Sequence, residues 1–159
     1  MNCSRGTVRI AGAFEQTAAL GMGFMAKGQW PFAEQALANA HKQAPNNFSV
    51  SRALLEALRR QDKRPAALAA LDELVERFPA ELDAIVLRAD MRLQSGDRDG
   101  AIADLEHVLA RQPRYIAALR RLALLLAGDG RAPDARALIA QARAEAPTDR
   151  DTWQLRMNL

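Results

Sequence analysis

The spacing of the prolines constrains the fold of this 159-residue chain more than any other feature of its sequence. Four of the seven prolines recur every 34 residues, as Pro45, Pro79, Pro113 and Pro147. The other three share a second position of the same period, as Pro31, Pro65 and Pro133. A proline inside a helix costs about 3 kcal/mol, whereas a proline in the first turn, or just after the last one, is tolerated. The sequence therefore predicts a unit of two helices, A and B, that is repeated four times.

The turn between the two helices recurs with the same period. Glycine occupies one position of this turn in three units, as Gly28, Gly96 and Gly130, and Asp62 takes its place in the second unit. Because glycine adopts positive φ freely, the turn at Asp62 is expected to be slightly strained or capped differently. We expect A helices near residues 14–27, 48–61, 82–95, 116–128 and 151–158, and B helices near residues 31–44, 65–78, 99–112 and 133–146.

Helix B carries a small residue at one fixed place in every unit. These residues are Ala33, Ala67, Ala101 and Ala135. Four residues later, on the same face of the helix, come Leu37, Leu71, Leu105 and Ile139. The pattern predicts that the backbones of helices A and B approach closely at the alanine.

This pattern resembles the tetratricopeptide repeat, a 34-residue unit with the motif W-x2-L-G-x2-Y, then A-x3-F, then proline. Repeat 1 matches it best, through Leu20, Gly21, Phe24, Ala33, Leu37, Ala40 and Pro45. A Sel1-like repeat fits less well, because its unit length varies more. The resemblance implies an all-α, right-handed α-solenoid of four repeats plus a C-terminal helix. Its units would be residues 14–47, 48–81, 82–115 and 116–149, with a disordered leader at 1–13 and a capping helix or truncated fifth repeat at 150–159.

Composition and charge exclude several classes of function. The net charge is only +3, and acidic and basic residues alternate along the chain, whereas a nucleic-acid-binding protein would concentrate positive charge on one face. No apolar run approaches the roughly 20 residues that span a membrane. Cys3 is the only cysteine, so an intramolecular disulfide cannot form. The many arginines and alanines, with few lysines, suggest a bacterial genome of high GC content.

No motif indicates catalysis, and we expect no enzyme activity, no metal and no cofactor. His41 and His107 lie in different repeats without a second ligand at metal spacing, and both are expected at the surface. Neither a nucleophile motif nor a glycine-rich phosphate loop is present.

Two arginines interrupt the apolar pattern of repeat 3. Arg88 and Arg92 stand where other repeats carry leucine or phenylalanine. A buried, unpaired guanidinium is very costly, so both are expected to pair with a carboxylate. The carboxylates expected to pair with them are Asp72, Glu73 and Glu76 of the preceding helix B. An anion-binding site is the alternative.

The resemblance implies that the A helices line a groove that binds an extended or helical segment of a partner protein. The residues at the second, fifth, ninth and twelfth positions of each repeat would face it. We expect the groove to include Met22, Met25, Arg52, Glu56, Arg59, Val86, Asp90, Leu93, Arg120 and Leu124. This mixed lining suits an amphipathic or acidic peptide, unless Arg52 and Glu56 only pair along their own helix.

Two functions of different class remain open from the sequence. One is a scaffold for protein–protein interaction, for example in a bacterial secretion, envelope or polysaccharide-export assembly. The other is a regulatory or targeting segment of a larger enzyme such as a transferase. Self-association is also left open, but nucleic-acid binding and direct membrane insertion are not expected. The protein would be cytoplasmic if the chain is complete as written, whereas a fragment of an exported protein is compatible with the periplasm.

Overall fold

The computed structural model describes residues 4–149 and residue 152, with side chains described from residue 12 onward. This part of the chain is all-α. Its eight helices are α1 (Ser4–Ala26), α2 (Trp30–Gln43), α3 (Phe48–Arg60), α4 (Arg64–Arg77), α5 (Leu82–Gln94), α6 (Arg98–Arg111), α7 (Ile116–Gly128) and α8 (Ala132–Glu145). They pack sequentially in pairs, as expected for four helix-turn-helix repeats. None of these helices is long and apolar enough to cross a lipid bilayer.

The chain divides into two compact units, Met1–Ala80 and Glu81–Leu159, and each contains four of the described helices. In the first unit, α1 packs on α2, α2 on α3 and α3 on α4. In the second unit, α5 packs on α6, α6 on α7 and α7 on α8. Each helix A therefore contacts helix B of its own repeat, and α3 and α7 also contact helix B of the repeat before.

For the eight helices described, the predicted bounds are correct to within one residue, with one exception. Helix α1 begins at Ser4 instead of near residue 14, so the prediction of a disordered leader is wrong for residues 4–13. No proline interrupts this segment, and the hydrogen-bond ladder of helix A can therefore continue towards the N-terminus. Of the predicted helix at 151–158, only Thr152 lies within the described residues, where it is helical and buried.

The inter-helix turns share one backbone conformation in all four repeats. The residue with positive φ is Gly28, Asp62, Gly96 or Gly130. In each turn the next N–H reaches back to the last turn of helix A, as Lys63 N–H does to the Leu58 carbonyl at 3.1 Å. Asp62 therefore adopts the glycine conformation with φ 54°, which the strain prediction anticipated. Its short polar side chain makes the left-handed region less costly than it is for other residues.

Helix B begins in two different ways. Proline stands in the first turn of α2, α4 and α8, where its missing N–H leaves no hydrogen bond unmade. Helix α6 has Asp99 at that position, and the carboxylate of Asp97 accepts a hydrogen bond from the Gly100 N–H at 3.0 Å. A side-chain cap thus accompanies the absence of proline in this repeat.

The recurring alanines are fully buried between the two helices of each repeat. They are Ala33, Ala67, Ala101 and Ala135. The leucine or isoleucine four residues after each alanine is buried as well. In repeat 1 the helices also approach closely at Gly21, because a Cβ added there would lie 2.6 Å from Cγ of Leu37. The predicted close approach is therefore present, and the core is built mainly from alanine and leucine.

This packing predicts a sharp difference between two adjacent alanines. Ala67→Leu should lower the free energy of unfolding by about 1–3 kcal/mol, because the added carbons have no space between the helices. Ala66→Leu is the matched control, since Ala66 is exposed and its change should be within about 0.5 kcal/mol. Urea unfolding measures both changes, and equal effects would contradict the close-approach assignment.

Candidate functional site

In the first unit, the predicted groove residues differ in their exposure. Met22 is exposed on α1, whereas Met25 is half-buried and packs against the core cluster formed with α2 and α3. Arg52 and Arg59 are exposed on α3, and Glu56 is half-buried. Met22, Arg52 and Arg59 are therefore the members of this set that can make broad contact with a ligand.

Glu56 does not pair with Arg52, so the alternative raised by their spacing is not realised. Its carboxylate instead accepts hydrogen bonds from Arg59 at 3.3 Å and Arg60 at 2.7 Å. Within the described part of the chain, Arg52 has no hydrogen-bond or ion-pair partner. This guanidinium therefore remains available for an external carboxylate.

In the second unit, tertiary contacts engage most of the predicted groove residues. Asp90 on α5 accepts two hydrogen bonds from Arg121 on α7, at 2.6 and 2.9 Å. Arg120 lies 3.5 Å from the carboxylate of Asp149. Leu93 is half-buried, and Leu124 is 51% exposed. Leu124 is therefore the most accessible apolar member of the predicted set in this unit.

The placement of Val86 in the groove needs correction. Its side chain is only 5% exposed and belongs to the core. The prediction assumed that the fifth position of helix A is accessible in every repeat. At Val86 this assumption fails, because neighbouring side chains enclose the apolar side chain. Val86 is therefore not a contact residue.

A second polar pair, a few residues from Asp90 and Arg121 in sequence, joins the first turn of α5 to the residue before α7. The Tyr115 hydroxyl donates a hydrogen bond to the carboxylate of Asp83. Burial raises the pKa of Tyr115 to about 12, the hydrogen bond to Asp83 and its negative charge add to the rise, and the positive charge of Arg121 opposes it. The neutral phenol is thus favoured by the folded state.

The pKa of Tyr115 gives a direct test of this pair, because Tyr115 is the only tyrosine in the chain. An ultraviolet titration of the folded protein should give a pKa near 12, against 10.0 when unfolded. Stability from this raised pKa is fully present below pH 10 and is lost as the pH rises towards 12. Asp83→Asn should lower the folded-state pKa, and an unchanged titration would contradict the hydrogen bond.

Arg88 and Arg92 form a buried ion cluster, as predicted, but with a carboxylate that the sequence analysis did not name. Asp104 on α6 binds Arg88 at 2.6 and 2.9 Å and Arg92 at 2.9 Å. The Asp104 side chain is only 6% exposed. The predicted partners, Asp72, Glu73 or Glu76 of repeat 2, were therefore wrong. The carboxylate that binds both arginines belongs to repeat 3, as the arginines do.

A signal for Asp104 was present in the sequence. The equivalent residues of the other repeats are Ala36, Ala70 and Leu138. Repeat 3 thus has an acidic residue, Asp104, where the other repeats have a small or apolar one. It is also the repeat in which Arg88 and Arg92 replace apolar residues. Because charges buried together must compensate each other, the three irregular positions of repeat 3 point to one cluster.

This cluster predicts unequal effects for its members. Asp104→Ala should cost about 3–5 kcal/mol of unfolding free energy, because it leaves two guanidinium groups without their buried carboxylate. Arg88→Met should cost less than about 1 kcal/mol, since Arg92 still pairs with Asp104. Glu106→Ala is the control on the exposed side of the same helix. Similar costs for Asp104→Ala and Arg88→Met in denaturant unfolding would refute the cluster.

The prediction that both histidines lie at the surface is wrong for His41. Its side chain is 16% exposed, and its two ring nitrogens lie 3.1 Å from the Ser51 hydroxyl and 3.3 Å from the Glu73 carboxylate. Burial raises the pKa of Glu73, but the hydrogen bonds and charges of His41 and Arg77 outweigh it and hold the pKa below its usual value. These contacts join α2, α3 and α4, whereas His107 is exposed.

The serine, histidine and glutamate of this network do not form a hydrolytic site. Ser51 is buried, and its hydroxyl also donates to the Asn47 carbonyl at 3.1 Å, so it is not accessible to a substrate. Within residues 4–149, no group of three or more His, Cys, Asp or Glu side chains could hold a metal ion. The network's role is to connect three helices.

Comparison with known proteins identifies the repeat. Two models described as tetratricopeptide repeat match residues 18–81 and 92–159. The chain belongs to the tetratricopeptide repeat family. Tetratricopeptide repeat domains generally bind protein partners and are generally non-catalytic. Among proteins with curated functions, none matches the sequence significantly.

Solved structures show the same fold. A tetratricopeptide repeat protein from Parabacteroides merdae ATCC 43184 has a TM-score of 0.81 and 20% identity, over 88% of this chain and 56% of that one. MamA from Desulfovibrio magneticus RS-1 has a TM-score of 0.71 and 17% identity, over 86% and 77%. YrrB, described as having an unusual peptide-binding site, has a TM-score of 0.71 and 18% identity, over 87% and 71%. At these identities the likeness concerns the fold alone.

Proposed function

We propose that this protein is a non-catalytic scaffold that binds a peptide or helical segment of a partner protein along its A helices. The observation that carries the proposal is the state of Arg52, which is exposed at a groove position and has no partner among the described residues. Neighbouring charges such as Glu56, Arg59 and Arg60 are paired with one another. Arg52 is thus the cation best placed for an external carboxylate.

The accessible apolar residues define the rest of the partner's chemistry. Met22 is exposed in the first unit and Leu124 in the second. Methionine is unbranched and adapts its shape to different apolar surfaces, whereas the branched leucine side chain is stiffer. A segment that combines apolar and acidic side chains would complement these residues and Arg52. The description of YrrB as a protein with a peptide-binding site supports a peptide as the ligand class.

The role of scaffold is proposed for each unit separately. Arg52 and Met22 test the first unit, and Leu124 tests the second. The same surfaces would serve a regulatory segment of a larger enzyme, because in that case the bound segment belongs to the catalytic part or to its target. Both arrangements use binding and no chemistry by the described residues.

The experiment selects peptides from a displayed random library on the wild-type protein and measures their affinities for variants. Arg52→Glu should weaken acidic peptides by about tenfold or more, because it replaces attraction by repulsion. Leu124→Glu should weaken peptides that bind the second unit. Arg136→Glu is the matched control, because Arg136 is exposed on α8 outside the proposed surface.

Two results would overturn the proposal. One is the absence of any peptide that binds the wild type in preference to the Arg52→Glu and Leu124→Glu variants. The other is an equal loss of affinity in Arg136→Glu, which would indicate unspecific attraction to positive charge. Circular dichroism and urea midpoints of all variants separate a lost surface from a lost fold.

A further inference from the structure

Repeat 1 exposes large apolar side chains on a face that the proposed function does not use. Leu20 on α1 is 54% exposed and Phe32 on α2 is 57% exposed. Phe24 is half-buried between the core and Phe32, and the two ring centroids are 5.5 Å apart. We call Leu20, Phe24 and Phe32 the repeat 1 patch.

The repeat 1 patch is separate from the groove residues of the same helix. Successive residues of an α-helix are about 100° apart around its axis. Met22 therefore lies about 160° from both Leu20 and Phe24, on the opposite side of α1. A ligand on the groove residues would leave the patch exposed.

The repeat symmetry shows what normally covers this face. In the other two repeats that keep apolar residues at these positions, the equivalents of Leu20 and Phe24 are Leu54 and Leu58 on α3, and Leu122 and Leu126 on α7. Leu58, Leu122 and Leu126 are buried, and Leu54 packs on the core cluster that includes Leu37 and Ala40 of α2. Both helices lie between two B helices, because α3 packs on α2 and α4, and α7 packs on α6 and α8. Among the described helices, α1 packs on one helix B, which is α2.

Phe32 has no counterpart in the other repeats. The equivalent residues are Ala66, Gly100 and Asp134, which are small or charged. The core of a repeat therefore does not need an aromatic residue at this position. In repeat 1 the side chain extends the exposed apolar surface that begins at Leu20, and burying it on a partner would be favourable by the hydrophobic effect.

We propose that the repeat 1 patch binds an amphipathic α-helix of a partner protein, which takes the place of a preceding helix B. The occupant follows from continuity with the α2–α3 interface inside the chain. There the buried Leu37 and Ala40 of α2 share one apolar cluster with Val50, Ala53 and Ala57 of α3. The partner helix therefore presents alanine and leucine, without charge, to Leu20, Phe24 and Phe32.

A hydrocarbon-stapled peptide with the sequence of α2, WPFAEQALANAHKQ, is the probe, and fluorescence polarisation with the full chain measures its binding. The wild type should bind it, and Phe32→Glu and Leu20→Glu should each weaken binding by about tenfold or more. Ala66→Glu is the matched control, because Ala66 occupies the position of Phe32 in repeat 2 and is exposed. A control peptide with the changes Ala36→Glu and Ala40→Glu should not bind.

Three outcomes would overturn the proposal. The peptide fails to bind at about 1 mM, a concentration that detects even weak complexes. Binding is lost with Arg52→Glu but not with Phe32→Glu, which places the peptide on the groove residues. Sedimentation shows self-association that Phe32→Glu abolishes and Ala66→Glu retains, which makes a second copy of the chain the occupant. Only the second of these supports the proposed peptide groove, so the two proposals fail independently.

Discussion

The close contact at one alanine of each helix B is the constraint on which the rest of the structure depends. Repeat proteins bury apolar surface only between neighbouring elements. The distance between helices A and B therefore controls how much apolar surface the two helices bury. Alanine allows the backbones to approach, and the leucine or isoleucine four residues later fills the space beside it. Polar contacts between neighbouring repeats, such as Lys63 with Glu34 and Arg98 with Asp129, are possible at this spacing.

Repeat 3 keeps the 34-residue period of the other repeats, but charged side chains replace part of the apolar packing between its helices. Arg88, Arg92 and Asp104 occupy positions at which the other repeats carry apolar or small residues. Buried charges are tolerated only when they are paired and hydrogen-bonded, and three short hydrogen bonds to Asp104 meet this condition. The two arginines are therefore tolerated because Asp104 replaces the small or apolar residue that the other repeats carry.

The surface of the protein separates side chains that stabilise the fold from side chains left for partners. Four polar side chains have geometry that could serve a ligand but are bound to one another. Asp90 of repeat 3 binds Arg121 of repeat 4, and Asp83 binds Tyr115 within repeat 3. Arg52 has no hydrogen-bond or ion-pair partner among the described residues, and Leu20 and Phe32 of the repeat 1 patch are more than half exposed. The distinction arises because a charge or an apolar side chain that already has a partner gains little by exchanging it for another.

The sequence by itself determined the period, the helix bounds and the turn conformation, because these depend on local rules for proline, glycine and apolar spacing. It placed positive φ at Gly28 and the close approach at Ala67, and at Asp62 it predicted either strain or a different cap. The same rules missed the start of α1 at Ser4. The repeat period placed the first residue of helix A near 14, but no proline before residue 14 prevents the helix from starting earlier. Tertiary structure decided that Val86 is buried and that His41 joins three helices. It also decided that Asp104 binds Arg88, for which the sequence held only an indirect signal. These outcomes depend on which side chains meet across helices, and a 34-residue period fixes positions in the repeat but not the partners of each side chain.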